Sequence, residues 1–215
     1  MLGNSKRRIN QNQILSIMTL SFSKYWPDDM PSHMANYRTN FVEKIWTSLD
    51  EELLFSFYRE KYQVDFANRE LVDKLLKERA DYDINWTLYD HLRLSNVFKA
   101  HTIRGDYHDR WKPGNDIHFY INVRKPNQFL FAPVMKCTAV QSIDFTHFHD
   151  HIEVELSDNF WKARGSVKGK IYEWDIQLQI LAQNDGFDTV EDFFSWFNET
   201  TATGSKLIHW TKYTY

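Results

Sequence analysis

The chain has 215 residues but only one cysteine, seven glycines and five prolines. A lone Cys137 excludes an intrachain disulfide and any multi-cysteine zinc site, and its apolar surroundings predict a buried small hydrophobe. A glycine-rich phosphate loop is missing, as is a Ser-His-Asp order. No uncharged apolar run is long enough to span a bilayer. The apolar stretch Ile14 to Leu20 is short and broken by Ser16 and Thr19. Lys6, Arg7 and Arg8 precede it, and Lys24-Tyr25-Trp26-Pro27 follows in place of a small-residue cleavage site. The expectation is a soluble cytoplasmic protein with no membrane association. A formal charge of −3 offers no global attraction to nucleic acid, so such binding would need a local basic patch.

A hydrophobic content of 42% is enough to bury a core, and one domain over residues 14–215 is the simplest reading. Aromatic residues make up 16%, which suits thick packing for most rings and base stacking for a few. Trp26, Trp46, Trp174, Trp196 and Trp210 occupy apolar periodic settings and read as core. Residues 1–13 are polar and aperiodic, so they read as a flexible arm.

Along the chain, Ile14 to Ser23 predicts a largely buried strand. Asn40 and Glu43 stand at capping-box spacing ahead of a helix to Leu49. Apolar residues then recur at helical spacing through Leu53 to Tyr58 and Leu71 to Leu76, and a further helix is expected near Trp86 to Leu94. Phe129 to Pro133, Met135 to Phe145 and Ile152 to Leu156 read as strands. Tyr172 to Ala182 fits strand or helix, its end favouring helix. Asp188 and Glu191 cap a helix with Val190, Phe193, Phe194 and Phe197 on one face. Leu207, Ile208 and Trp210 make a closing strand.

Lys99 to Val123 concentrates the chemistry. Ile117, Phe119, Ile121 and Val123 alternate with His118, Tyr120 and Asn122, which predicts a strand with one core face and one polar face. Upstream, Thr102 and Arg104 share a face of an extended segment, and Arg110 and Lys112 follow. This cationic cluster suits an anion or a polar ring, with Trp111 and Tyr120 placed to stack on a base. A lysine beside a threonine hydroxyl can assist its deprotonation where burial lowers the lysine pKa. Lys99 and Thr102 point to opposite faces of a straight strand, so the segment must bend before Thr102 for them to converge. His147, His149 and His151 alternate near Asp144 and Asp150, but the setting reads as a hairpin connection and no metal is expected.

Lys99-Ala-His-Thr102-Ile-Arg104, followed by Trp111-Lys-Pro-Gly114-Asn-Asp116, resembles the K-x-x-T-x-R and G-D signature of ASCH domains, relatives of the PUA fold. Phe41-Val-Glu-Lys44-Ile45 resembles the helix before that signature. Asn184-Asp185-Gly186-Phe187 with Val190-Glu-Asp-Phe193 resembles the late E-G-F and E-E-F helix. Lys206-Leu-Ile-His-Trp210 resembles the ending of prophage-type ASCH-like proteins. The likeness covers most of the chain apart from the N-terminal arm and one helical segment.

The resemblance implies an α+β fold, a PUA/ASCH-like curved β-barrel with peripheral helices, in which residues 50–95 stand as a helical insertion. Some ASCH proteins are amidohydrolases of N-acetylated cytidine that use lysine, threonine and glutamate. Lys99 and Thr102 match the first two, and Asp185 stands for the third with a shorter side chain. The expected function is binding of RNA or a nucleotide-like small molecule by Arg104, Arg110, Trp111, Lys112 and Tyr120, without a cofactor. One alternative is an amidohydrolase with Lys99, Thr102 and Asp185 as catalytic groups. The other is a phage-encoded interaction module that docks a host protein through the inserted helices.

Overall fold

The computed structural model describes residues 16–149, 151–156, 161–166, 176–198 and 204–215. The flexible arm expected over residues 1–13, the strand start at Ile14 and Leu15, Asp150, Trp174 and the first part of Tyr172 to Ala182 lie outside the described residues.

Chain order is β1 (Ile17–Phe22), α1 (Phe41–Trp46), α2 (Glu51–Tyr62), α3 (Arg69–Ala80), α4 (Trp86–Leu94), β2 (His101–Gly105), β3 (Asp116–Ile121), β4 (Phe129–Leu130), β5 (Met135–Lys136), β6 (Ala139–His147), β7 (His151–Leu156), β8 (Trp161–Ser166), α5 (Ile176–Asn184), α6 (Val190–Trp196) and β9 (Ser205–His209). The fold is α+β. Its described strands form two open sheets, and the expected curved β-barrel is not seen closed among them. In the first sheet β1 runs parallel to β3, and β4 and β5 pair antiparallel with opposite ends of β3. The second sheet is antiparallel, in the order β2-β9-β6-β7-β8.

Two local features hold the sheets apart. The strand expected over Met135 to Phe145 breaks at Cys137 and Thr138: Lys136 pairs with Asp116 in the first sheet, whereas Ala139 pairs with His209 in the second. Cys137 N–H donates to the Asn115 carbonyl and Thr138 N–H to the His209 carbonyl, so both N–H groups are paired where the backbone changes sheets. Between β1 and β2 no ladder forms among the described residues. The Arg104 side chain bridges them, donating from Nη2 to the Ser21 carbonyl at 2.8 Å.

Two cores flank the second sheet, and Ile208 of β9 joins the first of them. Ile117, Phe119 and Ile121 on the apolar face of β3 pack with Trp46, Leu54, Tyr58, Val72 and Leu76 from α1, α2 and α3. Ile143, Val154 and Leu156 of the second sheet pack with Leu178, Leu181, Phe193 and Phe197, and with Trp26, Met30 and Met34 from the loop after β1. Phe41 is packed against both. Helix α2 is anchored on the first sheet by Tyr58 and Tyr62, whose hydroxyls donate to the Phe131 and Leu130 carbonyls at 3.0 and 2.6 Å. Much of the segment's surface charge is paired within it, as Arg69–Asp90, Arg93–Glu51 and Lys77–Asp83. No described helix is long and apolar enough to cross a membrane.

Several local expectations change. β1 is half-buried: Leu20 and Phe22 face the core while Ile17 is exposed, as expected of a strand at a sheet's edge. Asn40 lies in the left-handed region (φ 54°) and makes no side-chain cap. Glu43, freed from the capping box, is fully buried and accepts from Tyr82 Oη at 2.6 Å and Asn85 N–H at 2.9 Å. Thr189, not Asp188, caps α6, and Asp188 instead pairs with Lys44 at 2.7 Å. β3 stops at Ile121 because Asn122 turns left-handed (φ 56°).

Candidate functional site

The site is built where β1, β2, α1 and the end of α5 meet. Lys99 and Ala100 precede β2, and their N–H groups donate to the Lys44 carbonyl of α1 and the Asn184 carbonyl of α5. The regular strand begins only at His101. Lys99 and Thr102 therefore line the same small cavity, as the required bend demands. Asp185 directly follows α5, and Gly186 comes next at φ 91°. A Cβ at Gly186 would stand 3.1 Å from both Lys99 Cδ and a Phe41 ring carbon, so glycine allows the lysine stem to pass.

Lys99, at 1% exposure, donates from Nζ to Asp185 Oδ1 at 2.9 Å and to the Asp185 carbonyl. Its ammonium also lies 4.9 Å from the Phe41 ring centroid. Asp185, at 3% exposure, further accepts from Ile103 N–H at 3.2 Å, and His101 Nδ1 lies 3.5 Å from the same oxygen. Burial pulls Lys99 down to about 8 against the opposing attraction of Asp185, with Arg104 and Lys44 adding to the fall. Burial alone would raise Asp185, but Lys99 and His101 outweigh it and hold the carboxyl below its usual range. Lysine and carboxylate therefore face each other as a buried ion pair, and Lys99 makes no hydrogen bond to Thr102 among the described residues.

The cavity lined by Lys99, Thr102, Arg104, Asp185, Phe22, Phe41 and Trp196 has a volume of about 30 Å³, space for roughly one water. Beyond it lies a cleft of about 420 Å³, lined by Ser21 to Pro27, Asn122, Val123 and Lys125. Phe22, Phe41, Arg104 and Trp196 contribute to both, so these side chains separate inner cavity from outer cleft. Arg104 Nε is buried without a hydrogen-bond partner. Its guanidinium lies 5.3 Å from the Phe22 ring centroid. Burial lowers its pKa and Asp185 opposes this, yet an arginine remains a cation throughout.

Set against models of known protein families, against curated proteins and against solved structures, the chain finds no match. The site must be read from its own chemistry.

The structure brings together Lys99, Thr102, Asp185 and Arg104. It does not bring Arg110, Trp111, Lys112 or Tyr120 to them, since none of these lines either cavity. Trp111 is a core residue at 7% exposure, its N–H held by Asp106 Oδ2 at 2.9 Å, so its ring is not free to stack on a base. Arg110 is drawn to Asp106, with Nε 3.6 Å from Oδ1. Lys112 has its N–H capped by Asn115 Oδ1 at 2.6 Å. Tyr120 stacks on His118 of the same strand, with ring centroids 6.2 Å apart. The Asp106 and Asn115 turns fold this loop onto itself, a contact that spacing along the chain does not reveal.

Sequence reasoning missed the other wall. Tyr25, Trp26, Trp196 and Lys125 line the cleft. Trp26 is buried as expected of a core ring, but it also lines the cleft. His101, Tyr215 and His209 were missed as well. His101 Nε2 and Tyr215 Oη are 2.8 Å apart, and the His101 and His209 ring centroids 5.2 Å. Burial pulls both imidazoles down, His209 to about 3. The only signal available was the alternation of β2, which turns His101 away from Thr102. Among the described residues no group of three His, Cys, Asp or Glu side chains is arranged to hold a metal.

Proposed function

We propose that the chain is an ASCH-like RNA- or nucleotide-binding protein whose ligand lies in the cleft between the Ser21 to Pro27 segment and the Asn122 to Lys125 turn. The carrying observation is Arg104, a cation at the cleft floor whose Nε has no partner and whose Nη2 bonds only to a backbone carbonyl. A half-buried cation with an unused buried donor calls for an anionic or carbonyl-bearing guest. A cleft of about 420 Å³ suits one nucleotide. Tyr25 and Trp196 offer rings for a base, and Lys125 adds a second positive charge for phosphate.

The amidohydrolase reading has less support. Lys99 near 8 is suited to proton transfer, but its ammonium is held by Asp185 and the cavity beside Thr102 admits about one water, so a nucleoside's acyl group has no room there. The test is calorimetric titration of uridine 5′-monophosphate and a short oligouridine into the wild-type protein and Arg104→Ala. Binding that weakens at least about tenfold in the variant fits the cleft. Equal affinity in both proteins removes Arg104 and the cleft from the function.

A further inference from the structure

Both walls of the cleft end on the same helix terminus. α3 finishes at Ala80, with Asp81 in the left-handed region (φ 50°) and its N–H turned back to the Leu76 and Lys77 carbonyls. The carbonyls of Ala80 and Asp81 then have no partner within the helix. Lys24, from one wall, donates from Nζ to both, at 3.3 and 2.8 Å, and stands 3.6 Å from Asp81 Oδ2. Asn122, from the other wall, donates from Nδ2 to the Ala80 carbonyl at 2.7 Å. Asn127 reaches the same oxygen at 3.5 Å. One helix end thus gathers donors 98 residues apart in sequence, since Lys24 and Asn122 differ by 122 − 24.

The chemistry divides the cleft's cations into two kinds. An ammonium on helix C-terminal carbonyls is favourably placed against the helix dipole, so the Lys24 charge is already engaged. Lys125 is exposed and makes no ion pair with any described residue. It rides on the turn that Asn122 starts.

We propose that the C-terminus of α3 is a positioning element for the cleft. By holding Lys24 and Asn122 on one carbonyl it fixes the spacing of the two walls, and it couples the helical segment of residues 50–95 to whatever occupies the cleft. Lys24 and Asn122 are positioning residues, whereas Arg104 and Lys125 meet the guest. The coupling between walls is a property of the free protein, and its consequence for affinity rests on reading the cleft as the ligand site.

Hydrogen exchange on the full chain tests it, comparing wild type with Asn122→Gly, Lys24→Met and Lys125→Ala. Asn122→Gly keeps the left-handed backbone, and Lys24→Met keeps the apolar stem, so the two break the junction independently. Without ligand, each should speed exchange about fivefold at the Asp81 and Tyr82 amides and also in the opposite wall. Lys125→Ala should change neither. Changes confined to the substituted wall overturn the proposal. With uridine 5′-monophosphate added, wild type should gain protection at Asp81 and Tyr82, and Lys24→Met and Asn122→Gly should bind about tenfold more weakly. Lys24→Arg, which keeps donors on the carbonyls, should restore affinity. Unchanged affinity in Asn122→Gly contradicts the positioning role. Failure of wild type to bind any nucleotide removes the ligand reading, while exchange in the free protein still decides whether the walls are coupled.

Discussion

Lys99 and Asp185 are each fit to be buried only because the other is there. Removing one partner leaves an uncompensated buried charge, so Lys99→Met should cost about 3–5 kcal/mol. Adding Asp185→Leu should recover much of that loss, but not all, because Ile103 N–H then loses its acceptor. Urea unfolding of the two single variants and the double variant measures this. The neighbouring imidazoles give a pH dependence of definite sign. His101 and His209 are held neutral by burial, His209 down to about 3. Below the ordinary histidine value near 6.5 the unfolded chain takes up protons that the folded chain refuses. Their contribution is complete above that value; as pH falls the His209 share is lost progressively toward about 3, at about 1.4 kcal/mol per unit, and the His101 share changes in the same direction. Unfolding midpoints at pH 7 and pH 5 should show the decline, and His209→Gln should flatten it.

At the level of elements, the same residue types do different work from the one their spacing suggests. Glu43 stands at capping-box spacing, where its removal would cost a few tenths of a kcal/mol to about 1. In the folded chain it is a buried carboxylate serving Tyr82 and Asn85, with Arg38 3.5 Å away. Glu43→Ala should therefore cost about 3 kcal/mol or more, whereas Thr189→Ala, which removes a real cap, should cost about 1. Chemical denaturation separates the two. Apolar periodicity identified α2, α3, α4 and α6 and the buried face of β3, because burial of one face is a local demand that the chain must meet residue by residue. It did not identify β8, where Trp161-Lys-Ala-Arg alternates over only four residues before Gly165 and Ser166. Nor did it show the break at Cys137, because the residues on either side keep the strand-like pattern while their partners change sheets.

For the whole molecule, two hydrophobic cores leave a seam, and the candidate site occupies it. Phe22 belongs to one core and Trp26 to the other, and Phe41 touches both rings at centroid distances of 6.0 and 5.2 Å. Lys99, Thr102 and Arg104 were legible because they lie in one short cationic stretch, whereas Asp185 came only from the resemblance to ASCH domains. Tyr25, Lys125 and Trp196 were not, since they reach the cleft only through tertiary packing from three separate elements. Arg110, Trp111 and Lys112 looked contiguous with the site, but Asp106 and Asn115 turn their loop inward on its own backbone.

The central claim is that an anionic, base-bearing guest sits in this seam. The most direct measurement is amide and indole chemical-shift mapping during addition of uridine 5′-monophosphate. The shifts should concentrate at Ser21 to Pro27, Arg104, Asn122 to Lys125 and the Trp196 indole. Shifts centred instead on Arg110, Lys112 and Tyr120, or none at all at saturating nucleotide, would contradict the account.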